Sequence, residues 1–235
     1  MLDFKSCDKT NTCKKYREGT CPIINKGIDQ FCVKWFKINE LQNLALLEDN
    51  QKIRFPMYLD EDGADRDVYT RLSEIEKDAE NFVSQGKNLY LYSAGTGNGK
   101  SSWATRMINS YFDKVWYKAE LSCKALFINV PKFLILLKDN ISKKSDYIEY
   151  IKENVLNADI VVWDDIATKG FTKYEMENIL NIIDNRLIAN KSNIYTSNIV
   201  GDELKECIGD RLYSRVFNKS EILEFVGKDK RSLNL

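Results

Sequence analysis

Three features of the sequence predict an α/β fold with a mostly parallel five-stranded sheet flanked by helices. Apolar strand-like segments alternate with helical periodicity from about residue 72 onward. A glycine-rich turn joins one of these strands directly to a helix, and another strand ends in two consecutive aspartates. At 235 residues the chain has room for one such domain and a small appendage, here a cysteine-rich N-terminal unit.

The elements follow in order. Leu72–Gln85 carries apolar residues at helical spacing, and Gly86 stands where a helix ends. Asn88–Ser93 (NLYLYS) reads as a buried strand, followed by the glycine-rich turn and a helix from about Ser101 to Lys118. Ala125–Val130 (ALFINV) is a second strand closed by Pro131, and Ile160–Trp163 (IVVW) a third. Thr172 and Glu175 form a capping-box pattern opening a helix with Ile179, Leu180, Ile183 and Leu187 on one face. Asn193–Thr196 (NIYT) and Ile222–Val226 (ILEFV) complete the five strands. A stretch with Pro56, Gly63 and several acids around 55–67 reads as a linker. The expected organisation is therefore an N-terminal unit over 1–50, a linker over 51–67 and the main domain over 68–235.

The glycine-rich turn carries the chemistry. Gly95, Thr96, Gly97, Asn98, Gly99, Lys100 and Ser101 lie between strand and helix, the context in which such a loop wraps phosphate. Glycines let backbone N–H groups turn inward, and the new helix adds the positive end of its dipole. Lys100 is expected to reach the β- and γ-phosphates, Ser101 to coordinate Mg²⁺, and Ser102 to complete the nucleotide-binding set. The first position of the motif is Ala94 instead of glycine. At the end of IVVW, Asp164 meets the need for a carboxylate that holds Mg²⁺, and Asp165 is placed to polarise the attacking water.

With these motifs, the chain resembles AAA+ P-loop ATPases, and in particular the DnaC/DnaI-type replicative helicase loaders, which include phage-encoded members. The resemblance runs from about Asp67 to Arg231 and rests on LYSAGTGNGKSSWA, VVWDDIATKG, NIYTSN and GDRLYSRV in that order. It implies an ATPase that loads a DnaB-type hexameric helicase onto single-stranded DNA and self-associates into a helical or ring-like oligomer. It implies a γ-phosphate sensor at Asn198, an arginine finger at Arg215 with Arg211 on the same helical face, and a second sensor at Arg231. Paired aspartates where most AAA+ motors carry Asp-Glu imply slow turnover. Two other families share the core: transposition-targeting ATPases of the IstB kind and DnaA-like initiators. A nucleotide-gated helicase adaptor or inhibitor with little hydrolysis is a further alternative.

Within residues 132–144, between the second and third strands, Lys132, Lys138, Lys143 and Lys144 stand against only Asp139, in the region where related loaders contact single-stranded DNA. Cys7, Cys13, Cys21 and Cys32 supply enough thiolates for a structural Zn²⁺, although no CxxC pair is present. Composition narrows the rest. The absence of histidine removes Ser-His-Asp and Cys-His catalysis, and the zero formal net charge leaves nucleic-acid contact to local patches. The polar N-terminus lacks a signal-peptide core, so a cytoplasmic location with no membrane contact is expected.

Overall fold

A computed structural model of the protein describes residues 17–19, 33–53, 57, 59, 63–140, 144–167 and 170–230. Helices α1 (Val33–Leu44), α2 (Asp49–Lys52), α3 (Arg66–Lys77) and α4 (Ala79–Ser84) precede β1 (Asn88–Tyr92). There follow α5 (Lys100–Val115), β2 (Ala125–Asn129), α6 (Val130–Asp139), α7 (Asp146–Asn154) and β3 (Ile160–Asp164). The described part closes with α8 (Lys173–Ile188), β4 (Ser192–Ser197), α9 (Gly201–Val216) and β5 (Glu221–Glu224). All five strands run parallel, in the order β2-β3-β4-β1-β5.

The period-2 alternation of strands divides the apolar residues into two cores. Leu89, Leu91, Ala125, Phe127, Ile160, Val162 and Ile194 face α1, α3, α4 and α5, where Leu41, Leu72, Phe82 and Phe112 bury against them. Tyr90, Leu126, Ile128, Val161, Trp163 and Tyr195 face the other way, onto Phe133, Ile148, Ile179 and Leu212 of α6 to α9. Covering both faces is what permits near-continuous apolar strands.

Four local features differ from the sequence reading. The helix expected over Leu72–Gln85 is two helices, broken at Asp78 (φ −116°, ψ 36°), whose carboxylate accepts from Asn81 Nδ2 at 2.9 Å. Pro131 opens a helix as well as following a strand: it sits in the first turn of α6, and Asn129 caps that turn by accepting from the Lys132 N–H at 3.0 Å. The described part of the N-terminal stretch packs with the main domain. Ile38, Leu41, Ala45 and Leu47 are buried in the first core, and the Phe127 N–H donates to the Ala45 carbonyl at 2.9 Å.

Strand β4 is longer than NIYT, and all six residues of Ser192–Ser197 are buried although Ser192, Asn193, Thr196 and Ser197 are polar. Apart from the buried Tyr195 hydroxyl, their side-chain polar groups find partners inside the protein. Asn193 Oδ1 accepts from Arg186 Nε at 2.8 Å and Trp163 Nε1 at 3.2 Å, while its Nδ2 donates to Asn88 Oδ1 at 3.0 Å. The fully buried Arg186 also donates to the carbonyls of Val155, Ala158 and Ser192.

Candidate nucleotide-binding site

The strand order brings three C-terminal strand ends together. β1 pairs with β4 so that Tyr92 stands opposite Ser197, and β3 flanks β4 on its other side. The loop after β1, the carboxylates after β3 and Asn198 after β4 therefore share one edge of the sheet, the place where open parallel sheets take ligands.

The loop is held from within. Ser93 Oγ accepts from the Gly95 N–H at 3.2 Å and from Asn98 Nδ2. The Lys100 ammonium, almost buried at the start of α5, donates to the Gly95 carbonyl at 3.0 Å and to Asn98 Oδ1 at 3.1 Å. These two oxygens occupy donors that phosphate oxygens would use. Gly97 (φ 72°) and Gly99 (φ 103°) lie in the left-handed region, so the curl of the loop depends on residues without a Cβ. Thr96 is exposed on the loop, and Ser102 is exposed on the first turn of α5.

Asp164 ends β3 with 7% of its surface exposed. Its Oδ1 accepts from Thr196 Oγ1 at 2.8 Å, and the Ser101 hydroxyl also hydrogen-bonds to it. Burial raises the Asp164 pKa above the ordinary carboxylate value, while the Ser101 and Thr196 hydrogen bonds pull against that rise. Thr196 Oγ1 accepts from the Asp165 N–H at 2.9 Å, so one hydroxyl fixes both aspartates. Asp165 has φ 57°, a left-handed conformation that aspartate adopts more readily than longer side chains, which fits a short acid at this position. A buried ammonium, a curled glycine loop and a Ser–Asp pair suit a nucleoside triphosphate with Mg²⁺, for which Ser101 and Asp164 are the residues that would hold the ion. Beside the loop a cavity of about 260 Å³ is lined by Gln51, Met57, Ser102, Thr105, Arg106 and Asn109 among others.

Arg211 and Arg215 lie apart from this cluster. Helix α9 is broken at Gly209 (φ 76°, ψ 156°), and both arginines are on the segment beyond the break. Arg211 is exposed, and Arg215 Nε donates to Asp184 Oδ1 of α8 at 2.6 Å. Asn198 is half-buried just past β4. On the lysine-rich stretch, Lys132 lies 5.1 Å from the Tyr147 ring, Lys138 pairs with Glu175 at 3.0 Å and Lys144 is exposed; Phe133 is core. Lys143, Arg231 and the cysteines at 7, 13, 21 and 32 lie outside the described residues. Cys123 is buried and Cys207 half-buried in the packing. Among the described residues, no helix is long and apolar enough to cross a membrane.

Ser93, Thr196 and Asp184 escaped the sequence reading as site residues. Ser93 and Thr196 lay inside segments read only as strands, and the Asp184–Arg215 contact spans 31 positions.

No family model and no curated protein matches the chain. Solved structures do. The crystal structure of the DnaC helicase loader matches with 20% identity and a TM-score of 0.57, over 72% of this chain and 93% of that one. A primosome component from Streptococcus pyogenes serotype M3, described there as putative, matches with 23% identity and a TM-score of 0.58, over 82% and 98%. Replication initiator DnaA bound to AMPPCP and single-stranded DNA matches with 17% identity and a TM-score of 0.54, over 74% and 51%. With its 5-stranded parallel sheet and a glycine-rich loop between β1 and α5, the chain shares the fold of the DnaC helicase loader structure.

Proposed function

We propose that the protein is an ATP-dependent loader of a DnaB-type hexameric helicase onto single-stranded DNA during the initiation of replication. The observation that carries this reading is the convergence of Lys100, Ser101, Asp164 and Thr196 at one sheet edge, in a fold shared with the DnaC helicase loader. Lys100 and the loop N–H groups bind the phosphates, Ser101 and Asp164 hold Mg²⁺, and the cavity beside Ser102 receives the base or ribose. Mg²⁺ supplies neutralisation of the phosphate charge. Asp165 orients the attacking water, and Asn198 contacts the terminal phosphate.

Arg215 completes the site of a neighbouring copy, so ATP favours self-association into a helical or ring-like oligomer and hydrolysis reverses it. Lys132, Lys138, Lys143 and Lys144 contact the single-stranded DNA, Arg211 supports Arg215 from the same helix, and Arg231 serves as a second nucleotide sensor. The cysteines at 7, 13, 21 and 32 hold a structural Zn²⁺ in the unit that grips the helicase, and the protein works in the cytoplasm.

The test is complex formation with the replicative helicase of the source organism, by size exclusion with light scattering in MgATP. Wild type is compared with Lys100→Ala and with a protein lacking residues 1–32. A complex with wild type that is lost in the truncated protein supports the loader reading. No complex in any nucleotide state rejects it, and a preference for duplex DNA would then favour a transposition-type ATPase.

A further inference from the structure

The first turn of α5 carries a buried donor that no acceptor meets. Trp103 is 2% exposed, and its indole N–H has no hydrogen-bond partner among the described residues. Buried indole N–H groups usually find an acceptor, because a bare one forfeits the bond it made with water. Trp163, buried as deeply, has one: its Nε1 donates to Asn193 Oδ1 at 3.2 Å.

The Trp103 donor stands beside the glycine loop. A Cβ built on Gly99 would fall 3.4 Å from Met57 Cε, 3.6 Å from the Tyr69 hydroxyl and 3.9 Å from Trp103 Cδ1, the carbon bonded to Nε1. The indole is fixed from two sides. The Tyr69 ring stands edge-on to it at 5.1 Å, and the Arg106 guanidinium lies 5.5 Å from its centre. Tyr69 is held in turn, since its hydroxyl accepts from Lys230 Nζ at 2.8 Å. The fully buried Asp65 pairs with that ammonium at 3.2 Å while accepting from the Val226 and Gly227 N–H groups. Met57 is the adaptable member of the group. It lines the cavity of about 260 Å³ beside the loop, and an unbranched thioether turns at little cost.

We infer that Trp103 is a base-reading residue: with Met57 turned aside, its indole N–H donates to an acceptor nitrogen in the ring of the bound adenine. The inference rests on the reading of this loop as the ATP site and deepens it. The chemistry follows from the donor. An indole N–H can give a hydrogen bond but not accept one, so it favours a ring that presents a bare nitrogen at that place. The loop fixes the phosphates whatever base they carry, and Trp103 adds a contact that depends on the base.

The test is calorimetry on the full-length protein with ATP, with inorganic tripolyphosphate and with the three deaza analogues of ATP that each lack one acceptor nitrogen of the adenine ring. Wild type is compared with Trp103→Phe and with a protein carrying benzothienylalanine at position 103, which keeps the indole shape without the N–H. ATP affinity is expected to fall about five- to tenfold in both substituted proteins, the size of one hydrogen bond to a buried donor. Tripolyphosphate should bind all three proteins alike. One deaza analogue should bind wild type more weakly by the same factor and lose nothing further in the substituted proteins. ATP affinity unchanged by loss of the N–H, or a loss shared by tripolyphosphate or by all three deaza analogues, overturns the inference while leaving the ATP site intact. A wild type that binds neither ATP nor tripolyphosphate overturns the reading of the loop and the inference with it.

Discussion

Lys100 and Arg215 are both cations proposed to meet the same kind of phosphate, yet the fold treats them in opposite ways. Lys100 is nearly buried, and it donates to two oxygens of its own loop, two and five residues away. Arg215 is half-exposed on the far segment of α9, and its partner is Asp184 on another helix. The difference teaches where the site is complete and where it is not. The loop is assembled by local chain geometry and is ready before any ligand arrives. The arginine is held against a carboxylate of its own chain and must exchange that partner to act on a neighbour's nucleotide.

The comparison can be broken most decisively at Arg215. Arg215→Ala is expected to lower ATPase turnover on the order of 10³-fold at concentrations where the protein associates, with ATP affinity unchanged. Steady-state rates and nucleotide titrations on the same samples separate the two; equal turnover would remove the finger from the account. Lys100→Ala should act on affinity instead, weakening ATP binding about a hundredfold through loss of charge-assisted hydrogen bonds. Calorimetry that finds less than a threefold change would show that the buried ammonium is structural.

A smaller effect is expected at Thr196. Thr196→Val keeps the shape but removes the hydroxyl that bonds Asp164 and the Asp165 N–H, so turnover should fall roughly tenfold while ATP affinity holds. A matching loss of affinity would mean that the hydroxyl supports the loop and not the carboxylates. Asp184→Asn sharpens the comparison from the other side. An ion pair this exposed contributes little, so releasing Arg215 should lower the concentration for half-maximal assembly only about two- to threefold. Light scattering across a dilution series checks this, and weaker assembly would show that Asp184 itself belongs to the contact between subunits.

The parts legible in the sequence are those set by neighbours along the chain. The glycine loop, the capping box of Thr172 and Glu175, and the apolar strands are local statements, and the structure holds them at those places. What resisted reading depends on contacts at a distance. Strand β4 looked shorter because Ser192 and Ser197 are polar, and only Arg186 and the Asn88–Asn193 pair explain how such a strand is buried. The break at Asp78 turns on a side chain preferring Asn81 to a continued helix. Asp65 carried no sequence signal at all, since it reads as one more acid in a linker-like stretch until the chain beyond β5 is seen to return to it.

The break at Gly209 has a consequence for how information passes along α9. The helix segment that begins just beyond Asn198 stops at Ile208, and the segment bearing Arg211 and Arg215 starts afresh with its own axis. A side chain at the joint would meet a backbone angle that L-residues seldom adopt, and its Cβ would sit 2.9 Å from the Met176 sulfur. The angle between the two rods is therefore set by one residue and by the thioether beside it. Under the proposed function, the segment that follows Asn198 and the segment that bears Arg215 would act as two levers sharing that single pivot.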